Sequence, residues 1–472
     1  MKSDNFWKMS AIDVVRSLRK KEIHPKELIH AAITRIETVD DKINALPIRC
    51  FERALEQANK GKTSSSLEEY SILAGLPIAV KDYNDVKGVR TTFGSQMFAK
   101  NIPPISDATV ALLESRGAIP IAKSNVPEWA GGHTFNPLHG VTRNPWNLNY
   151  SAGGSSGGSA AALASGQVWL ATGNDLGGSL RTPASFNGVV GLRPSPGIVP
   201  RGKRLSSFDT LWVEGPMGRS VADVALMLDA EAGHVAHDPI SFISNITSYV
   251  DEVKNEDLPK RIAFSPNLNI VPVAKEVQNV SENAIQKLIA AGIQITDQIP
   301  DFTGVLEAFH TLRASLLGTM MGDLLKTHRS KIPKDIIDNI EHGFKLSPDN
   351  LFKAERIRWE LSHRMATFFE THDFLICPSA SITPFNVEKN YITHIDGQVC
   401  KTYIDWFAIT FALTMTACPV ISIPCGFSSD NLPIGLQIVG KPRGEASLLQ
   451  AANQIERIFS INSKLPIDPR SN

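Results

Sequence analysis

At 472 residues the chain is longer than one hydrophobic core usually supports, so it accommodates two or three domains or one large α/β unit. Lys plus Arg and Asp plus Glu are balanced at 48 each, giving zero formal net charge, so nothing in the composition points to the basic face that a nucleic-acid partner would normally require. Cys50, Cys377, Cys400, Cys418 and Cys425 are odd in number, scattered and never in a CxxC pair. That pattern argues against a disulfide framework and a zinc site, and for free thiols in a reducing compartment. Met1 to Trp7 carry no apolar run of signal-peptide length, and no later window approaches the roughly 18 apolar residues of a membrane span. The expectation is a cytoplasmic protein that engages neither nucleic acid nor membrane.

The first 60 residues read as helical. Ser10 and Asp13 form a capping-box-like start, followed by Ile12, Val15 and Leu18 at helical spacing. Pro25 opens a second helix with Leu28, Ile29, Ile33 and Ile36 as its apolar positions. From Leu73 the pattern changes. Leu76 to Val80 reads as a short buried strand that delivers Lys81 and Asp82 at its end, followed by a helix from Asp107 to Arg116, a stop at Gly117 and a strand from Ala118 to Ala122. This strand, helix and strand rhythm predicts α/β architecture.

Further along, the spacing predicts a helix over Ala160 to Ser165, strands over Val168 to Thr172 and Val189 to Leu192, and a helix from Ala222 to Ala232. The polar stretch from His237 to Leu258 is the expected boundary of the core. A helix over Val277 to Ala291 and a strand over Ile293 to Ile295 follow, then a mostly helical region from Phe302 to Phe369 with no metal-ligand spacing. The chain returns to strands at Phe374 to Cys377, Val420 to Pro424 and Ile434 to Val439, and closes with a helix from Glu445 to Ile458.

The stretch from Ser151 to Arg181 carries the chemistry. Two glycine-serine turns, Gly153-Gly154-Ser155-Ser156-Gly157-Gly158 and Gly177-Gly178-Ser179, are joined by an alanine-rich packing segment. Glycine allows φ > 0 and close approach of backbone N–H groups to a ligand, and adjacent amides in a turn form an anion-binding concavity. A serine there can attack a carbonyl, with the amides holding the resulting oxyanion, provided a base is present.

Three other readings compete. The turns could be flexible linkers, although Ala160 to Ala164 is a packing sequence. They could cradle phosphate, although the P-loop lysine and Ser/Thr are missing. Finally, Gly153 to Gly157 fits G-x-S-x-G, a nucleophile elbow with Ser155 attacking and His363 or His394 as the base. Lys81 offers a different base. At the end of an apolar strand it either snorkels to solvent or points into a closed site, where loss of hydration lowers its pKa toward neutrality. Asp82, on the opposite side of the strand, need not keep it charged.

Gly-Leu-Pro-Ile-Ala-Val-Lys-Asp at 75 to 82, Gly-Gly-Ser-Ser-Gly-Gly-Ser-Ala-Ala-Ala at 153 to 162 and Asn-Asp-Leu-Gly-Gly-Ser-Leu-Arg-Thr-Pro-Ala at 174 to 184 together resemble the amidase signature family. Cys418-Pro419-Val420 and Pro433 to Gln437 resemble its C-terminal portion. The resemblance implies an α/β fold, a large mixed sheet with helices on both faces forming a single large catalytic unit. Within it, 1–65 is expected as an N-terminal helical cover, 66–235 as the catalytic core, and 236–472 as an α/β portion completing the sheet. A substrate-covering helical region is expected at about 302–369.

The resemblance further implies a Ser-cisSer-Lys triad of Ser179 as nucleophile, Ser155 as bridging hydroxyl and Lys81 as base. It places the oxyanion hole at the amides of Leu176, Gly177, Gly178 and Ser179. Thr182 and Pro183 suit a helix start just beyond. Asp175 and Arg181 are expected to brace the nucleophile turn, the alternative for Arg181 being a surface ion pair. Ala130 and Gly132, with Ser155, are expected in substrate binding, and His133 is expected as a packed or solvated loop residue. Asn174 departs from the Ser or Thr usual in the family, which puts in doubt any contact made by a hydroxyl there.

The implied activity is cofactor-independent hydrolysis of a small-molecule amide through an acyl-enzyme. Two alternatives stand beside it: the glutaminase subunit of a tRNA-dependent amidotransferase, and a catalytically silent binding protein of the same fold. A homodimer is the expected assembly, as the commonest outcome for soluble enzymes.

Overall fold

An 11-stranded mixed sheet organises the computed structural model, which describes residues 3–60, 71–202 and 205–471. In chain order its strands are β1 (Ile48–Arg49), β2 (Pro77–Lys81), β3 (Ile119–Ser124), β4 (Leu170–Asp175), β5 (Val190–Arg193), β6 (Val213–Gly218), β7 (Arg261–Phe264), β8 (Gln294–Thr296), β9 (Phe374–Pro378), β10 (Val420–Phe427) and β11 (Pro433–Val439). Across the sheet they run β1-β3-β2-β4-β6-β5-β10-β11-β9-β7-β8. β2 is parallel to β3 and β4, and β7 is parallel to β8 and β9. Every residue of β2, β3, β4, β5, β6, β9 and β11 is buried. Side chains on a strand alternate between faces, so complete burial means that both faces are covered.

The covering helices are α1 (Ala11–Arg19), α2 (Pro25–Ile43), α3 (Phe51–Lys60), α4 (Ala108–Ser115), α5 (Gly157–Ala164), α6 (Arg181–Asn187) and α7 (Val221–Glu231), then α8 (Lys275–Ala290), α9 (Val305–His328), α10 (Lys334–Phe344), α11 (Pro348–Phe368), α12 (Ala408–Thr414) and α13 (Glu445–Phe459). Their starts follow the sequence signals. The Ser10 Oγ accepts from the Asp13 N–H to cap α1, and Pro25 stands in the first turn of α2 behind a capping box made by His24 and Glu27. α4 stops before Gly117, whose φ of +88° is the left-handed conformation that glycine adopts without penalty.

Three features depart from the sequence expectation. β1 lies inside the stretch read as wholly helical and forms one edge of the sheet. β6 escapes notice because Val-Glu-Gly-Pro-Met-Gly reads as a turn. Pro216 is tolerated because it pairs with Thr172 of β4 where the ladder to β5, confined to Met217 and Gly218, has run out. β7 directly follows the polar stretch ending at Leu258. The sheet crosses that stretch without a break, since β5 pairs with β10 through Arg193 and Val420. The boundary expected at residue 65 lies outside the described residues. Among the described residues, no helix is long and apolar enough to cross a membrane.

α5 sits against the backbone that follows β3. A Cβ on Gly158 would stand 2.6 Å from the Asn125 carbonyl oxygen and 2.7 Å from that of Ala45, so backbone would have to move. A Cβ on Gly318, within α9, meets nothing nearer than 3.8 Å. Gly158→Ala is therefore expected to lower stability by about 1–3 kcal/mol or more. Gly318→Ala is expected to leave it unchanged or raise it by up to about 1 kcal/mol, since alanine is the better helix former. Denaturant unfolding of the two variants measures the contrast.

Candidate active site

β2 carries Lys81 into the interior, anchored by its backbone N–H donating to the Thr172 Oγ1 of β4 at 2.9 Å. The side chain is fully buried. Its Nζ lies 2.7 Å from the Ser155 Oγ, 2.8 Å from the Ser156 Oγ and 2.6 Å from the Asn174 Oδ1, and 4.9 Å from the centroid of the Tyr83 ring. Among the described residues, no carboxylate is a hydrogen-bond partner of this amine. The neighbouring carboxylates are engaged elsewhere. Asp82 accepts from Lys123 at 2.9 Å and from Thr92, while Asp175 is paired with Arg181 at 3.0 Å and Arg193 at 3.3 Å. Burial pulls the Lys81 amine down to about 7, against the opposing pull of Glu214 and Asp175. Burial also raises the Asp175 carboxyl, but the two guanidinium groups outweigh it and hold that group well below the usual carboxylate range.

The first glycine-serine turn reaches this amine through Ser155 and Ser156, and the second turn is tied to the first. The Gly154–Ser155 peptide bond is cis, and the Ser156 N–H donates to the Ser179 carbonyl at 3.3 Å, tying one turn to the other. Asp175 shapes the second turn by accepting the Gly178 N–H at 2.8 Å and the Leu180 N–H at 3.2 Å. Gly178 adopts φ +126°, and a Cβ there would strike Thr410, whose hydroxyl donates to the Gly177 carbonyl at 2.8 Å. The Gly178 amide is thus already committed. The amides of Leu176, Gly177 and Ser179, and the Ser179 hydroxyl, have no hydrogen-bond partner among the described residues. Arg181 is fully buried rather than a surface ion pair, and also donates to the Thr410 carbonyl, Thr414 Oγ1 and Gln437 Oε1 at 2.8–3.0 Å.

Leu176, Gly177, Gly178 and Ser179 line a cavity of about 200 Å³, as do Gly132 and Gly154. Its other walls are mostly apolar: the aromatic rings of Tyr83, Phe93, Trp129, Trp212, Phe309 and Phe407, and Leu317, Met320, Met321 and Leu324 of α9. The side chain of Ala130 lies outside the described residues. His133 is packed between the rings of Phe135 and Phe385, and burial pulls its imidazole down to about 4. It is therefore a neutral packing residue at pH 7.

The nucleophile-elbow reading is overturned. Ser155 faces Lys81, whereas His363 lies exposed against Trp359 and His394 lies exposed in a short hairpin. Among the described residues no group of three or more His, Cys, Asp and Glu side chains is arranged to hold a metal. Sequence reasoning passed over Ser156, Thr172 and Arg313. Ser156 was concealed by its more conspicuous neighbour. Arg313 left a signal, a single charge inside the apolar stripe of α9.

A family model described as Amidase matches residues 27–449. The chain is 33% identical over 476 aligned residues to an acylamidase of Rhodococcus erythropolis, covering 99% of each. It is 32% identical to a glutamyl-tRNA(Gln) amidotransferase subunit of Alkaliphilus metalliredigens (strain QYMF), covering 97% of this chain and 98% of that one. Among solved structures, a bacterial aryl acylamidase of the amidase signature enzymes superposes with a TM-score of 0.88 at 26% identity, covering 97% of this chain and 99% of the other. A 6-aminohexanoate cyclic dimer hydrolase complexed with substrate superposes with a TM-score of 0.87 at 25% identity, covering 98% and 99%. With a match across most of its length, and with Lys81 of the first motif bonded to Ser155 of the second while the third lines the adjoining cavity, the chain belongs to the amidase family, among the amidase signature enzymes.

Proposed function

We propose that this amide hydrolase works through Ser179, Ser155 and Lys81 on amides with an apolar acyl or aryl portion. One observation carries the reading: a buried amine, unpaired with any carboxylate, lies 2.7 Å from the Ser155 Oγ beside the turn that bears Ser179. A neutral amine has two N–H donors and one lone pair. The Asn174 Oδ1 can only accept, so it takes one N–H, and the Ser156 Oγ takes the other. The lone pair is left for the Ser155 hydroxyl.

Ser179 Oγ attacks the amide carbonyl carbon as its proton passes to Ser155 and the Ser155 proton passes to Lys81. The free amides of Leu176, Gly177 and Ser179 receive the oxyanion, with Gly178 serving the turn instead. Collapse breaks the C–N bond, and the proton held by Lys81 returns through Ser155 to the departing amine. Water then attacks the Ser179 ester by the same proton path, releasing the acid and restoring the serine.

The cavity wall, with six aromatic rings and an aliphatic helix face, supports an acylamidase activity on amides that carry an apolar portion. Free cysteines support a reducing, cytoplasmic setting.

Ser179→Ala is expected to lower kcat on a hydrophobic p-nitroanilide by about 10⁴-fold or more, and to abolish fluorophosphonate labelling, with an unchanged circular dichroism spectrum. Retained turnover in that variant would remove Ser179 from the mechanism, and wild-type activity only on glutamine would favour the amidotransferase reading. Lys81 acts when neutral, so kcat/KM should fall as pH drops through about 7 and level off above it. Asn174→Asp sets a carboxylate against the amine, stabilising its charged form. The acid limb should then move upward by roughly one unit or more, and an unmoved limb would show that another group titrates.

A further inference from the structure

We infer that Arg313 selects amides bearing a carboxylate on the portion that fills the cavity, an inference that rests on the amide-hydrolase reading above. Arg313 is 4% exposed, lines the same cavity as Ser179 and is the one charged side chain among the residues that line it. Its Nη2 donates to the Tyr403 Oη at 2.6 Å and its guanidinium lies 5.5 Å from that ring's centroid. Its Nη1 is buried with no hydrogen-bond partner, and no carboxylate lies within ion-pair distance of it among the described residues.

Each other deeply buried arginine near the site has a fixed answer to its charge. Arg181 and Arg193 share Asp175. Arg313 has one phenol. A guanidinium keeps its proton at all working pH values, and a buried charge without a counterion is costly, so an anion brought by the substrate gains more here than it would in water. The flat fork of donors suits a carboxylate.

The position fits a substrate that spans the cavity. Phe309, in the first turns of α9, sits with its ring edge 3.2 Å from where a Cβ on Gly177 would stand, next to the oxyanion amides. Arg313 follows by four residues, roughly 6 Å further along the helix. Beyond it the wall is again aliphatic, from Leu317 to Leu324. A carboxylate separated from the scissile carbonyl by a short apolar spacer meets both the amides and the guanidinium.

The test uses matched pairs of substrates with spacers of two to six methylenes. In one series the anion is on the acyl side, as ω-carboxyacyl anilides against their methyl esters. In the other it is on the amine side, as N-acyl amino acids against their methyl amides. Wild type should prefer the anionic member in one series by about 10- to 100-fold in kcat/KM, and Arg313→Met should erase that preference by costing the anionic member far more than the neutral one. The series that shows the effect identifies the side. Arg313→Gln, which keeps a donor and loses the charge, should also lose most of the preference, and serves if the methionine variant does not fold. Equal use of both members by wild type, or an equal loss on both in the variants, overturns the assignment while leaving the amidase reading intact. No turnover of any amide by wild type overturns the amidase reading itself.

Discussion

A fully buried amine, brought by loss of hydration to titrate near neutral pH, is the constraint around which the rest of this structure is arranged. Lowering Lys81 from the ordinary 10.5 to about 7 corresponds to something on the order of 5 kcal/mol of disfavoured protonation. Burial supplies that against the opposing pull of Glu214 and Asp175. Two carboxylates near Lys81 in sequence or in space have cations of their own: Lys123 for Asp82, and Arg181 with Arg193 for Asp175. Such buried pairs add little net stability relative to apolar side chains of the same volume. Their contribution here is to keep negative charge away from one nitrogen.

Asp175 links this electrostatic role to backbone geometry. The same carboxylate that answers two guanidiniums also holds the Gly178 and Leu180 N–H groups. By fixing Gly178 it sets the turn whose neighbours Leu176, Gly177 and Ser179 line the cavity. Arg181 extends the network to α12 and β11 through Thr410, Thr414 and Gln437. The C-terminal elements therefore do more than complete the sheet: residues more than two hundred positions away hold the turn that bears Ser179.

The parts of this arrangement that were legible in the sequence are those written in local chemistry. Apolar runs bounded by glycine gave β2, β3 and β4, and caps gave α1, α2 and α4. Three motifs placed Lys81 at a strand end and Ser155 and Ser179 on turns. What escaped depends on contacts that sequence does not spell out. β6 reads as a turn because its Gly and Pro are penalised in isolation, and only its position between β4 and the short β5 ladder makes them harmless. The engagement of the Gly178 amide requires knowing that Asp175 folds back onto its own turn. Asn174 looked like a departure with an uncertain consequence, since whether an amide can replace a hydroxyl depends on which atom faces Lys81, and here it is the oxygen.

Machinery and pocket come from different stretches of the chain, and this separation shapes what overall similarity can mean. Lys81, the two serine turns and the buried carboxylate lie between residues 81 and 193, while much of the cavity wall comes from α9 and from Ile404 and Phe407. An acylamidase and a glutamyl-tRNA(Gln) amidotransferase subunit resemble this chain almost equally, at 33% and 32% identity, and an identity taken over the full length does not weigh the cavity wall separately. Discrimination must therefore be sought where few residues do much of the selecting. On α9 the stripe Phe309, Leu312, Leu316, Leu317, Met320 and Met321 has ordinary helical spacing for a buried face, and an arginine at its centre would weaken a purely structural face. A charge retained at that cost, beside the site and without a protein anion to meet it, is better explained by what enters the cavity than by what builds it.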